Sequence, residues 1–170
     1  MAPPPAPKRR VNDILLGRFE RWALPRMAAR LPDWMTPDGL TSIAIVGSFL
    51  SAVAYGLAGS NPVWLHVASL GLVIHWWGDS LDGTLARVRQ IRREKYGFFI
   101  DHSSDMLAGL LILGGLGLSP FVKLEIALLT LAGYYLVSIH TFLLAKVTGE
   151  FHLSHGGLGP TEQWSAVVVD

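Results

Sequence analysis

Four aspartates carry the chemistry this sequence offers: Asp79 and Asp82, three residues apart, and Asp101 and Asp105, four apart. Positions at those separations lie on one face of a helix. Each pair therefore projects from one side of its helix, and the two pairs meet at one place if the helices are neighbours. Carboxylates gathered in apolar surroundings repel one another unless they are protonated or bridged by cations, and a divalent metal is the economical answer. The chain has no cysteine, and the nearest histidines, His75 and His102, fall off the shared faces by spacing. Oxygen-only ligands suit Mg2+ or Mn2+ better than Zn2+. Two such ions about 3.5 to 4 Å apart are a common arrangement for phosphoryl displacement. Arg87, five residues past Asp82, has the planar fork that binds phosphate oxygens bidentately. Gly83, Ala86 and Gly97 remove bulk beside the carboxylates, so that a nucleotide or diphosphate could approach the backbone. Taken singly, Gly83 or Ala86 would be plain helix-packing residues, and Asp79 or Asp82 a solvated helix end. Four inward carboxylates together serve no packing purpose.

The elements that position these residues follow from composition and patterning. Of the 170 residues, 51% are hydrophobic and only 16% charged, against about a quarter charged in ordinary soluble domains. The mean hydropathy is +0.39. A net charge of +1 and a pI near 8.1 exclude a strongly basic nucleic-acid binder judged by bulk charge. Without cysteine there is no disulfide framework, thiolate metal site or cysteine nucleophile. Residues 1–10, proline-rich and ending in Lys8, Arg9 and Arg10, read as a disordered basic tail and not as a signal peptide. From Val11, the apolar Ile14, Leu15, Phe19 and Trp22 recur at helical spacing with Arg10, Arg18 and Arg21 largely off the stripe. Residues 11–35 thus read as an amphipathic region at a membrane surface, or a helix packed on a soluble partner.

Residues 39–59 and 61–78 contain no charged residue, each near the roughly 20 residues that a helix needs to cross hydrocarbon. Residues 98–118 and 121–145 make a third and a fourth span, and 164–169 begin a fifth. The fold class is an all-α integral membrane bundle, with 36–170 as the transmembrane domain and the interfacial helix before it. Cytoplasmic loops accumulate Lys and Arg. With the N-terminus inside, thirteen of the fourteen basic residues face the cytoplasm, among them Arg87, Arg89, Arg92, Arg93 and Lys95 between spans two and three; Lys123 is the exception. The carboxylates then sit at the cytoplasmic rim.

Read as DxxDGxxARx9GxxxDxxxD from Asp79 to Asp105, these residues resemble the complete signature of the CDP-alcohol phosphotransferase, or phosphatidyltransferase, family. The likeness extends to the basic N-terminal helix and to the Thr-Pro-Asp-Gly-Leu-Thr stretch opening span one. The His-Gly-Gly-Leu-Gly-Pro-Thr-Glu loop is similar to that of a bacterial-type subgroup. The resemblance implies a six-helix membrane enzyme, often a homodimer, that moves a substituted phosphoryl group from a CDP-linked donor to an alcohol and releases CMP. CDP-diacylglycerol is the expected donor, and the pathway phospholipid biosynthesis. Against six helices, the chain reads as C-terminally truncated. By position, the resemblance makes Asp79, Asp82 and Asp101 metal ligands, and Asp105 the base for the acceptor hydroxyl, touching metal as well. Gly83, Ala86, Arg87 and Gly97 would line the CDP site. The site and N-terminus would face the cytoplasm, at the inner membrane in a bacterium. Asp38 stands where the family commonly has Asn, so the contact there differs or carries charge.

Two other functions use the same residues. A divalent-cation transporter or sensor would make the carboxylates an ion pathway, although Arg87 and a position at the rim rather than the midplane argue against it. An inactive family member would retain the site without turnover. Among the remaining residues, His66, His75 and His140 read as hydrogen-bonded interhelical histidines, and His102 as a packing residue or one that orients Asp101. Trp76 and Trp77 read as interfacial anchors. His152 and His155 flank the glycine-rich loop, within reach of an acceptor. Thr161 and Glu162 open the last helix, as N-terminal chemistry or as acceptor contacts.

Overall fold

A computed structural model describes residues 17–148. They form five α-helices and, among the described residues, no strand: α1 (Gly17–Ala29), α2 (Pro37–Leu57), α3 (Trp64–Val88), α4 (Glu94–Gly117) and α5 (Leu124–Thr148). The basic tail, the first residues of the interfacial region, His152, His155, Thr161, Glu162 and the final apolar run lie outside the described residues. The chain divides into two compact units. One is Ala23–Ile139, treated below; the described parts of the other are the helical residues 17–22 and 140–148.

The four apolar segments become α2 to α5, with one displacement that matters. α3 does not stop at residue 78 but continues to Val88, and α4 begins at Glu94. Beyond Gly78, Leu81 and Leu85 keep an apolar stripe that is fully buried, so the helix gains packing by extending. Asp79, Asp82, Gly83, Ala86 and Arg87 therefore occupy the last turns of α3, and Gly97, Asp101 and Asp105 the first turns of α4. All of α2 and the Leu124–Leu144 part of α5 are long and apolar enough to cross a bilayer.

Local chemistry sets the ends of these helices. Thr36 caps α2, its hydroxyl accepting from Gly39 N at 3.0 Å. Pro37 fills the first turn, where its missing N–H costs nothing, and Asp38 complements the helix dipole. α3 ends in a Schellman turn: Ile91 N donates to Ala86 O at 3.0 Å and Gln90 N to Arg87 O at 3.2 Å. Gln90 takes the left-handed position at φ 57°, where glycine is usual. This turn ends α3 and leads the chain into α4.

α2 packs against both α3 and α4, whereas α3 and α4 hardly approach each other through their backbones. The α2–α3 seam is built from small residues. A Cβ on Gly47 would lie 2.6 Å from His75 N, one on Gly71 2.6 Å from Gly47 O, and one on Gly78 2.6 Å from Leu40 O. Only glycine permits that approach, the mode by which helices pack without a large apolar interface. Hydrogen bonds cross the same seam, from Ser51 Oγ to Ala68 O at 2.9 Å and between Ser48 Oγ and His75 Nδ1 at 3.0 Å. Gly115 is the equivalent on α4, where a Cβ would meet the Ala52 backbone of α2. Tyr135 of α5 donates to Met106 O of α4 at 2.8 Å. Below the seam, Ala28, Leu40, Leu81 and Leu85 form the core, with Leu24, Met27 and Trp77 packed on it.

The expected interhelical histidine is thus His75; His66 and His140 are exposed instead. Trp76 is exposed as an anchor would be, while Trp77 turns to the core. Val46, Phe49, Val53 and Leu57 leave an apolar stripe uncovered along α2.

Candidate functional site

Along α3, Asp79, Asp82, Gly83 and Ala86 follow one another at three- and four-residue steps, and along α4 Gly97, Asp101 and Asp105 recur every fourth residue. The signature is therefore two helical stripes. The backbones of α3 and α4 make few close approaches, and their carboxylates meet between them. One carboxylate oxygen from each of Asp79, Asp82 and Asp101 lies within 4.8 Å of the others. Asp105, one turn along α4 from Asp101, has an electrostatic interaction with Asp79. Carboxyls so close require a proton or a cation between them.

The donor set fits a hard divalent cation. All donors are carboxylate oxygens, the ligands Mg2+ and Mn2+ prefer, and one from each of the three residues is available at the same place. Asp82 is the buried member, 7% exposed. Its Oδ2 accepts from Thr41 Oγ1 of α2 at 2.6 Å, and its Oδ1 accepts from Gly83 N. Asp79, Asp101 and Asp105 are half-buried. His102 places Nδ1 3.1 Å from Asp101 Oδ2 and stacks on Phe98 with centroids 4.1 Å apart.

The small residues separate into two kinds. Gly47, Gly71, Gly78 and Gly115 are packing glycines, but a Cβ on Gly83 or Gly97 would meet nothing within 4 Å among the described residues. Both are exposed beside the carboxylates, and Ala86 is half-buried one turn on. Packing among the described helices therefore does not account for Gly83 or Gly97. Arg87 is exposed and folds along its own helix, Nε donating to Gly83 O at 3.0 Å and Nη2 to Thr84 Oγ1 at 2.9 Å. Its guanidinium thus lies beside the acidic stripe.

Three residues to which the sequence assigns no place in the site, though two serve the topology and one belongs to the stretch that opens span one, hold this end of the bundle together. Arg89 sends Nη2 to Leu31 O and Pro32 O, at 3.0 and 2.9 Å, and Nη1 to Asp33 O at 3.3 Å and Met35 O. It clasps the link between α1 and α2 to the end of α3. Arg93 Nη2 lies 2.8 Å from both oxygens of Asp38, and its guanidinium carbon is 4.3 Å from the Tyr96 ring centroid. Hydrogen bonding to Asp38 pushes the Arg93 pKa up. The contact at the position where Asp replaces Asn is therefore a charged one. Thr41 is the third, and its place at the end of the Thr-Pro-Asp-Gly-Leu-Thr stretch, just inside the start of α2, is the sequence signal that could have drawn attention to it.

An all-helical bundle with two bilayer-length apolar helices and a carboxylate centre able to take a divalent cation defines a class of membrane protein. Within it, the sequence matches the CDP-alcohol phosphatidyltransferase family over residues 34–169, and the chain belongs to that family of transferases. It is 34% identical over 135 residues to the archaetidylinositol phosphate synthase of Pyrococcus horikoshii, a match covering 79% of this chain and 66% of that protein. The chain thus spans just under two thirds of that relative's length. No solved structure matches it.

Proposed function

We propose that this protein transfers a substituted phosphoryl group from a CDP-linked lipid, CDP-diacylglycerol first among the donors, to an alcohol, releasing CMP in phospholipid biosynthesis. The observation that carries this reading is the meeting of Asp79, Asp82 and Asp101 at one place, with Asp105 in electrostatic interaction with Asp79. Asp79, Asp82 and Asp101 would hold Mg2+ or Mn2+, as two ions. Bound there, such cations supply positive charge to the diphosphate and to the leaving phosphate of CMP. Asp105 is also a ligand candidate through its interaction with Asp79 and acts as the base, taking the proton from the acceptor hydroxyl. The acceptor oxygen then bonds to the phosphorus that carries the lipid. The P–O bond inside the diphosphate breaks, and its electron pair leaves on CMP. Gly83, Ala86 and Gly97 leave the room in which the CDP moiety lies, and Arg87 binds its phosphate oxygens.

The surrounding arrangement follows. α2 to α5 are four spans: α3 and α4, at 25 and 24 residues, exceed the roughly 20 needed to cross hydrocarbon. Residues 11–35 lie at the interface and 36–170 form the catalytic domain. The basic residues put the N-terminus and the site in the cytoplasm, and the family resemblance supports a homodimer. The relative's name gives archaetidylinositol phosphate as its product, so inositol phosphate is the first acceptor to assay.

The test is binding of CDP-diacylglycerol to the purified protein in detergent, with and without Mg2+ or Mn2+, for the wild type and Asp82→Asn. Metal-dependent binding that the substitution removes, followed by CMP release on adding acceptor, supports the reading. Ion flux through liposomes without nucleotide, and no donor binding, would replace it with a transporter.

A further inference from the structure

Serine and threonine hydroxyls inside helices ordinarily turn back to the carbonyl four residues earlier. In this chain Ser42, Ser48, Ser69, Thr84 and Thr130 do so at 2.8 to 3.0 Å. Thr41 keeps such a contact but makes a shorter one as well. Its hydroxyl stands 3.2 Å from Pro37 O but 2.6 Å from Asp82 Oδ2, on another helix and 41 residues away in sequence. A hydroxyl has one proton to give, and the contact to Asp82 is the closer of the two by 0.6 Å. Both partners are buried, at 6% and 7% exposure, so water does not compete for the bond. Gly83 N donates to the other oxygen of the same carboxylate. One donor from α2 and one from α3 thus fix the plane of Asp82, and its remaining lone pairs are left for the place where Asp79 and Asp101 converge.

We propose that Thr41 is a positioning residue: its hydroxyl holds Asp82 in the orientation that binds a divalent cation, and so makes the N-terminal end of α2 part of the metal site. The inference rests on the reading of Asp82 as a metal ligand given above. It accounts for a polar side chain in the buried face of α2, beside the carboxylates of α3 and α4.

The experiment titrates the full chain in detergent with Mn2+ alone, reading free Mn2+ by electron paramagnetic resonance, for the wild type, Thr41→Val, Thr41→Ser and Asp82→Asn. Thr41→Val keeps the shape and loses the donor; Thr41→Ser keeps the donor. Valine is expected to weaken Mn2+ binding about tenfold, the lower end of what losing a ligand's hydrogen-bond partner costs, while serine stays within about threefold of wild type. Should the valine variant not fold, Thr41→Cys, a weaker donor of similar size, is expected to bind Mn2+ less tightly than the serine variant. Wild-type affinity in the valine variant alongside loss in Asp82→Asn overturns the role of Thr41 and leaves the metal site standing. A serine variant as weak as valine also overturns it, because shape and not the hydroxyl would then matter. Unchanged affinity in Asp82→Asn removes the metal-site reading itself.

Discussion

Gly78 and Gly83 lie five residues apart on α3, and the same substitution should have opposite consequences at the two. A Cβ at Gly78 would lie 2.6 Å from Leu40 O and 2.8 Å from Ala44 N. Both are backbone atoms of α2, so no side chain can swing away. Reaching ordinary contact at 3.4 Å requires the helices to part by about 0.8 Å, and overpacking of this kind costs about 1 to 3 kcal/mol. The displaced residue, Leu40, adjoins Thr41, whose 2.6 Å bond to Asp82 would stretch toward the limit of a hydrogen bond. Gly78→Ala should therefore lower thermal stability in detergent and weaken Mn2+ binding together. At Gly83 an added Cβ meets nothing within 4 Å among the described residues, and alanine is favoured over glycine inside a helix by about 1 kcal/mol. Gly83→Ala should hold or raise stability while reducing the affinity for CDP, because the methyl enters the room reserved for the nucleotide. Thermal unfolding and calorimetric titration with CDP, on both variants, decide the matter. Wild-type stability in Gly78→Ala would refute the close α2–α3 seam, and wild-type CDP affinity in Gly83→Ala would refute the clearance assigned to Gly83.

Three further outcomes are expected. Asp105→Asn should reduce CMP release by about 100-fold or more, the usual contribution of a general base, with a smaller effect on Mn2+ affinity; turnover at the wild-type rate would exclude Asp105 as the base. Arg89→Gln removes donors from the carbonyls of Leu31, Pro32, Asp33 and Met35 and should cost about 2 kcal/mol in unfolding free energy, measured by denaturant titration in mild detergent. Gln90→Gly relieves a side chain held at φ 57° and should stabilise the protein by about 1 kcal/mol, visible as a higher melting temperature without change in Mn2+ binding.

The eight signature positions were legible in the sequence because helical spacing is a local property. Residues three and four apart share a face whatever surrounds them, so the stripes Asp79–Asp82–Ala86 and Gly97–Asp101–Asp105 could be drawn before any helix was placed. The uncharged runs and the Thr36–Pro37 start of α2 were legible for the same reason, since hydrocarbon thickness and end-capping depend on consecutive residues. Where each helix ended was less so: α3 runs on to Val88 because Leu81 and Leu85 find a buried surface, and that surface is contributed by Leu40 and Ala28. Only the tertiary structure decided which face met which. It divided the glycines into those pressed against another backbone, such as Gly78, and those facing open space, such as Gly83. It set Thr41 against Asp82, and sent Arg89 to carbonyls more than fifty residues away. Spacing along one chain states what a helix presents, but a contact between helices depends on the distance and rotation of both, and those are settled by the packing of the whole bundle.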